Sequence, residues 1–170
     1  MEKLRLSVKH IRKYLQLSPV ERKFFLRALW MLPLITGALR LLGFERCKAL
    51  LIRHASSHAV KSSGTPKPDL AEARLAARMI GIAAAMGICP AHCLQRSLAL
   101  WLMMQKEGIC TDVFFGVWKG GSGVIAHAWV ELAGVVLNDD QDVRDNYVAI
   151  RSVFSAAGLQ MSYVQRPAFR

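Results

Sequence analysis

Acidic residues are scarce in this chain. Twelve Asp and Glu stand against 23 Lys and Arg, for a formal net charge of +11. A surplus of that size favours anionic partners: nucleic acid, anionic lipid or an acidic protein. Aromatics are also sparse, at 8% of residues. They are not interleaved with the basic residues, which argues against nucleic acid as the partner. There are four cysteines, Cys47, Cys89, Cys93 and Cys110. The opening Met-Glu-Lys-Leu-Arg-Leu has neither the apolar core nor the small-residue cleavage site of a signal peptide. A reduced, cytoplasmic chain without a disulfide framework is therefore expected. Uncharged apolar runs are short. The longest, Ala28–Leu39, is interrupted by Pro33 and falls below the roughly 20 residues that a membrane span requires. No internal repeat or low-complexity tract is present.

What is abundant is apolar side chain, 53% of 170 residues. That suffices for the core of one domain with a helical extension, and leaves apolar surface for a partner. The charge is unevenly spread. Residues 1–61 carry 13 basic and 3 acidic residues, whereas residues 62–170 carry 10 and 9. The shift coincides with Lys61-Ser-Ser-Gly-Thr-Pro-Lys-Pro68, a linker composition. Two parts are expected: a basic helical N-terminal region over 1–61 and a second part over 62–170.

In the first part, Leu4, Val8, Ile11 and Leu15 recur at helical spacing. Such a segment reads as a peripheral core helix or as a helix for a partner or membrane surface, and weak membrane-surface association stays open. Ser18-Pro-Val-Glu21 has the pattern of a capping box with Pro at the first helical position. The helix it starts should reach about Leu32 and be kinked or restarted by Pro33, with a further helix over 44–54. In the second part Asp69 should cap a helix running to Met86. A helix is expected over 93–106, strands over 111–118, 124–131 and 135–139, and a turn at Lys119-Gly-Gly-Ser-Gly123. Helices followed by an antiparallel meander indicate an α+β fold rather than a wound parallel sheet.

Three residues in this part carry chemistry. Cys93 opens its predicted helix, where free backbone N–H groups and the helix dipole favour a thiolate. Taken alone, a cysteine there reads as a small buried hydrophobe. His127 alternates with Trp129 and Glu131 on one strand face; alone, it reads as a structural histidine. Asp139 joins them if Leu132-Ala133-Gly134 forms a three-residue loop. The pairs are then Glu131 with Val135, Trp129 with Leu137, and His127 with Asp139. A two-residue turn would shift the register by one, place Asp139 on the other face and leave Asp140 as the fallback. Thiol, imidazole and carboxylate in this order form the set of a nucleophile, its base and an orienting group. The backbone N–H of Cys93 is the natural oxyanion donor. His92 and Trp129 are candidates for the substrate pocket. Asp140, Asp142 and Asp145 otherwise read as solvated loop residues.

The rival readings are weaker. Cys89, His92 and Cys93 lack the spacing and the fourth ligand of a zinc site, so no metal is expected. Cys47, Cys110, His10, His54 and His58 have no evident partner in the sequence. The turn at Gly120–Gly123 lacks the Lys and helix start of a phosphate loop, and no cofactor is expected.

Cys93-Leu-Gln-Arg-Ser-Leu-Ala-Leu, Gly116-Val, His127-Ala-Trp-Val-Glu131 and Val136-Leu-Asn-Asp139 resemble the transglutaminase-like cysteine protease of lasso-peptide biosynthesis, the leader peptidase. Leu17-Ser-Pro-Val-Glu-Arg22 and Leu41-Leu-Gly-Phe44 are similar to the helical N-terminal region of its standalone form. The resemblance covers nearly the whole chain. It implies a papain-like or transglutaminase-like core, a helix bearing the cysteine packed on an antiparallel sheet. It also implies Cys93, His127 and Asp139 as nucleophile, base and orienter, and cleavage of a precursor peptide between leader and core, often with Thr at the penultimate leader position. The implied partners are the precursor peptide and a separate macrolactam-forming cyclase that uses ATP. Some members carry a fused winged-helix-like module for the leader. Residues 1–60 read as helical throughout, so the leader-binding protein is expected to be a separate chain.

Overall fold

The computed structural model describes residues 17–59, 69–86, 90–118 and 125–154. The amphipathic segment 3–15, the linker at 61–68 with the expected part boundary, Cys89 and the turn at 119–123 lie outside them. The described elements are helices α1 (Pro19–Ala59), α2 (Leu70–Ala85) and α3 (Cys93–Lys106), strands β1 (Asp112–Trp118), β2 (Ala126–Leu132) and β3 (Val135–Val136), the short helix α4 (Val143–Asn146) and strand β4 (Tyr147–Phe154).

The helix starts are built by side chains that satisfy the orphan N–H groups of the first turn. The Ser18 N–H donates to Glu21 Oε2 at 2.7 Å, and the Glu21 N–H donates to Ser18 Oγ at 3.3 Å. Asp69 Oδ1 accepts from the N–H groups of Ala71 and Glu72, both at 3.0 Å. The expected break at Pro33 does not occur. Helical backbone runs through Pro33, and the non-helical residue is Gly43, at φ 76° and ψ 173°. Proline's fixed φ is compatible with a helix, whereas the positive φ at position 43 is inexpensive only for glycine. The segment beyond Gly43 stays helical to Ala59, past the expected end at 54.

The sheet is antiparallel, in the order β3-β2-β1-β4. β4 was not anticipated: it returns to pair with β1, with Tyr147 opposite Trp118 and Val148 opposite Val117. Period-two alternation sorts the sheet residues onto two faces. Val113, Val130 and Leu132 pack into the main core, which also holds Phe24, Ala28 and Leu32 of α1, Ala76 and Met79 of α2, and Leu98, Leu102 and Met103 of α3. On the other face Trp129, Val136 and Val143 form a smaller cluster with Phe114 and Tyr147. The fold is α+β, with a papain-like core and a helical N-terminal region whose helix shares that main core.

The β2–β3 connection is a two-residue turn. Leu132 pairs with Val135 and Glu131 with Val136, and Ala133 and Gly134 sit at φ 48° and 85°. Two successive left-handed residues make a primed turn, whose twist suits a hairpin better than the expected three-residue loop. The expected partners Glu131–Val135 and Trp129–Leu137 are thereby corrected by one residue. The third strand is also shorter than 135–139, because the chain bends after Val136.

α1 is joined to the end of α3 by charge. Glu107 accepts from Lys23 Nζ at 2.8 Å and from Arg27. Burial raises the Glu107 pKa, but bonding to Lys23 and Arg27 outweighs it and holds the carboxyl below its ordinary value. A depressed folded-state pKa gives stability that is present above the unfolded pKa and lost as pH falls through the folded value. Lys23 and Arg27 are both substantially exposed, so the pairing is worth about 1 kcal/mol. Glu107→Gln should lower the unfolding free energy from urea denaturation by that amount near neutral pH. The difference from wild type should vanish well below about pH 4. Equal midpoints for the two proteins at neutral pH would remove Glu107 from the account.

Candidate active site

Cys93 is the first residue of α3, and His92 is its N-cap. The His92 N–H donates to Gln95 Oε1 at 3.1 Å, and the His92 carbonyl accepts the Arg96 N–H at 3.1 Å. The helix therefore starts sharply at the thiol. Cys93 is partly buried and free, as are Cys47 and Cys110. Cys47 is buried, and burial raises its pKa, so that thiol stays protonated and shielded.

His127 and Asp139 are in direct contact, with Nε2 of the imidazole hydrogen-bonded to Oδ2 of the carboxylate. Asp139 Oδ1 accepts the Asp140 N–H at 2.9 Å, which fixes the carboxylate plane. Asp140 thus contributes a backbone donor, and the carboxylate that meets the imidazole is that of Asp139. An ionised carboxylate only accepts, so it holds the imidazole proton on Nε2 and leaves Nδ1 as the basic nitrogen. The pair forms although the register that predicted it is wrong. Only the Leu137 N–H continues the ladder, bonding the Val130 carbonyl at 2.9 Å. Residues 137–139 then bend, and strict alternation no longer decides which face Asp139 serves.

Aromatic rings hold the imidazole. Tyr147 stacks on His127 at 5.0 Å between centroids, and the Trp129 ring centroid lies 6.3 Å from that of His127. Trp129 is completely buried and donates Nε1–H to Glu131 Oε1 at 2.8 Å. It is a packing residue, so its expected place in a substrate pocket is corrected: a side chain with no exposed surface cannot line an open site. Glu131 is buried too, and Arg144 neutralises it through Nε at 2.6 Å and a second bond. His92 is exposed beside the thiol.

Gly116 stands opposite His127 in the β1–β2 register. A Cβ there would sit 2.7 Å from Tyr147 Cβ and 2.9 Å from Trp129 Cζ3. Only a hydrogen at this position lets both rings close on the imidazole.

Two further polar residues were not identified from sequence. Ser97, fully buried in α3, donates to the Ala128 carbonyl at 3.0 Å. Asn138 donates Nδ2–H to Ser97 Oγ at 2.9 Å and accepts the Val130 N–H at 2.8 Å. The signal available was a serine inside the apolar stripe of α3, four residues after Cys93 and so on the same helix face. The Ser97–Ala128 bond brings that face to the strand residue next to His127, and Cys93 lies one turn away. Among the described residues no cluster of three or more His, Cys, Asp or Glu could hold a metal ion.

The transglutaminase-like superfamily profile matches residues 38–152, more than half of the chain. The chain belongs to the transglutaminase-like superfamily. Comparison with curated proteins and with solved structures gave no match. Membership in this superfamily assigns the chain to cysteine-dependent chemistry of the protease or acyltransferase type. The match spans α2, α3, α4, β1 to β3, most of β4 and part of α1.

Crowding at Gly116 generates a test. Gly116→Ala should cost about 1–3 kcal/mol, the usual price of overpacking, and should alter the near-UV circular dichroism of the Trp129–Tyr147 pair. A variant as stable as wild type with an unchanged spectrum would show that the rings move aside freely.

Proposed function

We propose that this chain is a cytoplasmic cysteine peptidase that removes the leader from a lasso-peptide precursor before macrolactam formation. The observation that carries the chemistry is the His127–Asp139 pair, whose strand is bonded at Ala128 to Ser97, one helical turn after Cys93 on α3. The lasso-peptide assignment rests on the sequence resemblance. In this reading His127 Nδ1 takes the Cys93 proton, and the thiolate attacks the scissile carbonyl. The Cys93 N–H stabilises the oxyanion. His127 then protonates the leaving amine, which is the new amino terminus of the core peptide. Water attacks the thioester, and the leader leaves as a carboxylic acid. His92, exposed beside the thiol, stays a candidate for substrate contact. The open end of the His127 face, where Trp118 is 38% and Ile125 57% exposed, is the surface left for substrate.

Cys93→Ala should abolish cleavage with its melting curve unchanged. Asp139→Asn should retain the fold and lower turnover by up to about 10⁴-fold, because the imidazole loses its preferred tautomer; Asp140→Asn should have a much smaller effect, since it keeps the backbone donor. Product mass separates hydrolysis from the rival reading, acyl transfer to an amine by the same triad. Cleavage retained in Cys93→Ala would remove Cys93 as the nucleophile in both readings, whereas a wild-type chain that neither cleaves nor transfers would leave a binding adaptor.

The partners in this reading are the precursor, a separate leader-binding protein and the cyclase. What supports docking is the outer face of α1, where Leu26, Trp30 and Leu34 recur every four residues at 46%, 74% and 65% exposure. With Met31 and Met103 they line a groove of about 400 Å³. Two basic residues, Arg27 and Lys106, also line the groove, Arg27 while paired with Glu107. An apolar groove with a basic rim suits an amphipathic segment with acidic flanks. The Pro19–Ala55 stretch also has the length and hydropathy of a membrane span, but Phe24, Ala28, Leu32 and Ile35 commit its inner face to the core. Trp30→Ala with Leu34→Ser should slow cleavage of a precursor presented by its leader-binding protein and leave Cys93 alkylation by iodoacetamide unchanged. Partner-dependent cleavage should also weaken as salt rises. An unaffected cleavage rate in the double variant would place the partner elsewhere.

A further inference from the structure

β3 ends at Val136, so the outer edge of β2 around Ala128 and Val130 lacks a strand partner beyond the Leu137 bond. Edge groups of this kind normally meet water or another chain. Here two side chains close the edge. The Val130 N–H donates to Asn138 Oδ1 at 2.8 Å, Asn138 Nδ2 donates to Ser97 Oγ at 2.9 Å, and the Ser97 hydroxyl donates to the Ala128 carbonyl at 3.0 Å. The chain of bonds starts and ends on the same strand. Its polarity is fixed throughout, because the amide nitrogen can only donate and the carbonyl can only accept.

Three of the four residues in this relay lie beside, or one turn from, a residue of the proposed triad. Ser97 lies one turn after Cys93 on α3, Ala128 follows His127, and Asn138 precedes Asp139. Ser97 is completely buried, so its loss would leave the Ala128 carbonyl and an Asn138 N–H without a partner and with restricted access to water. We infer that Ser97 and Asn138 are positioning residues, whose relay sets the separation of the Cys93 thiol from the His127 imidazole while holding Asp139 at the ring's far side. Neither side chain has to touch substrate for this role. The relay replaces β-ladder bonds, which would need a continued β3 where Asp139 now reaches the imidazole. This inference rests on Cys93 and His127 acting as nucleophile and base.

The test is alkylation of Cys93 by iodoacetamide as a function of pH, read by peptide mass at that cysteine in the full chain. Wild type, Ser97→Ala, Ser97→Thr, Asn138→Ala, the Ser97→Ala/Asn138→Ala pair and His127→Ala are compared, each at a temperature where its melting curve lies on the folded baseline. A pairing of thiol with imidazole makes the wild-type profile depend on His127. Ser97→Ala and Asn138→Ala should then shift it in the direction of His127→Ala. Their precursor-cleavage kcat should fall by about 100-fold, the cost of a misplacement near 1 Å, with KM nearly unchanged. Ser97→Thr, which keeps the hydroxyl, should stay close to wild type. The double variant should be no worse than the poorer single one, since either substitution already breaks the relay. If Asn138→Ala has no folded baseline, Ser97→Ala and Ser97→Thr carry the comparison. Wild-type profiles and kcat in folded Ser97→Ala, with only the melting temperature lowered, would reduce the relay to a stabilising contact and overturn the inference. A His127→Ala profile identical to wild type would instead overturn the thiol–imidazole reading, and the positioning role with it.

Discussion

The outer edge of β2 must satisfy its N–H and C=O groups beside a neighbour that stops after two residues. Buried backbone groups left unpaired cost about as much as a lost hydrogen bond each, so the end of β3 constrains everything around it. The primed turn at Ala133-Gly134 sets where β3 begins, and the bend after Val136 sets where it ends. Between that bend and the edge, Asn138 and Ser97 supply the missing partners. The released chain carries Asp139 to His127. A longer regular hairpin in the same register would have put Asp139 on the opposite face from the imidazole.

The sheet face bearing His127 is rigid for a second reason. Its floor consists of Trp129, stacked on Phe114 at 5.8 Å between centroids, and its lower end is sealed by the Glu131–Arg144 pair. A carboxylate as buried as Glu131 is tolerable only with its bonds made; Trp129 and Arg144 make them. The strand that presents the imidazole is therefore held from below by a neutralised charge and from the side by rings. Tyr147 completes this packing, and it comes from β4, the strand that returns to β1.

The long helix α1 serves the site indirectly. Its inner face is part of the same core as α3, and Glu107 ties the two helices together at the far end of α3 from Cys93. Its outer face keeps large apolar side chains in solvent: Trp30 at 74% and Leu41 at 85% exposure. One helix thus buries a stripe that packs on α3, the helix Cys93 opens, and exposes a second, apolar stripe.

Local chemistry was legible in the sequence because its causes are local. The capping groups Ser18, Glu21 and Asp69, the span of α3 from Cys93 to Lys106 and the presence of strands expected over 111–118 and 124–131, observed from Asp112 and Ala126, follow from residue type and period, without reference to distant neighbours. So did the choice of His127 and Asp139 as partners, although the register argument for it was incorrect. Tertiary structure decided what depended on competition between alternatives. The helix continues through Pro33, and the break falls instead at Gly43, where a positive φ costs little. The hairpin register turned on whether Ala133 would accept a left-handed backbone, which its side chain alone disfavours and the twist of the paired strands favours. Trp129 reads on a strand as a pocket candidate as readily as a core residue, and only the rings and Glu131 around it determine that it is buried. Ser97, Asn138 and Gly116 are inconspicuous residue types in a sequence; their importance comes from distances to groups 31, 8 and 11 positions away, which only the folded chain brings within reach.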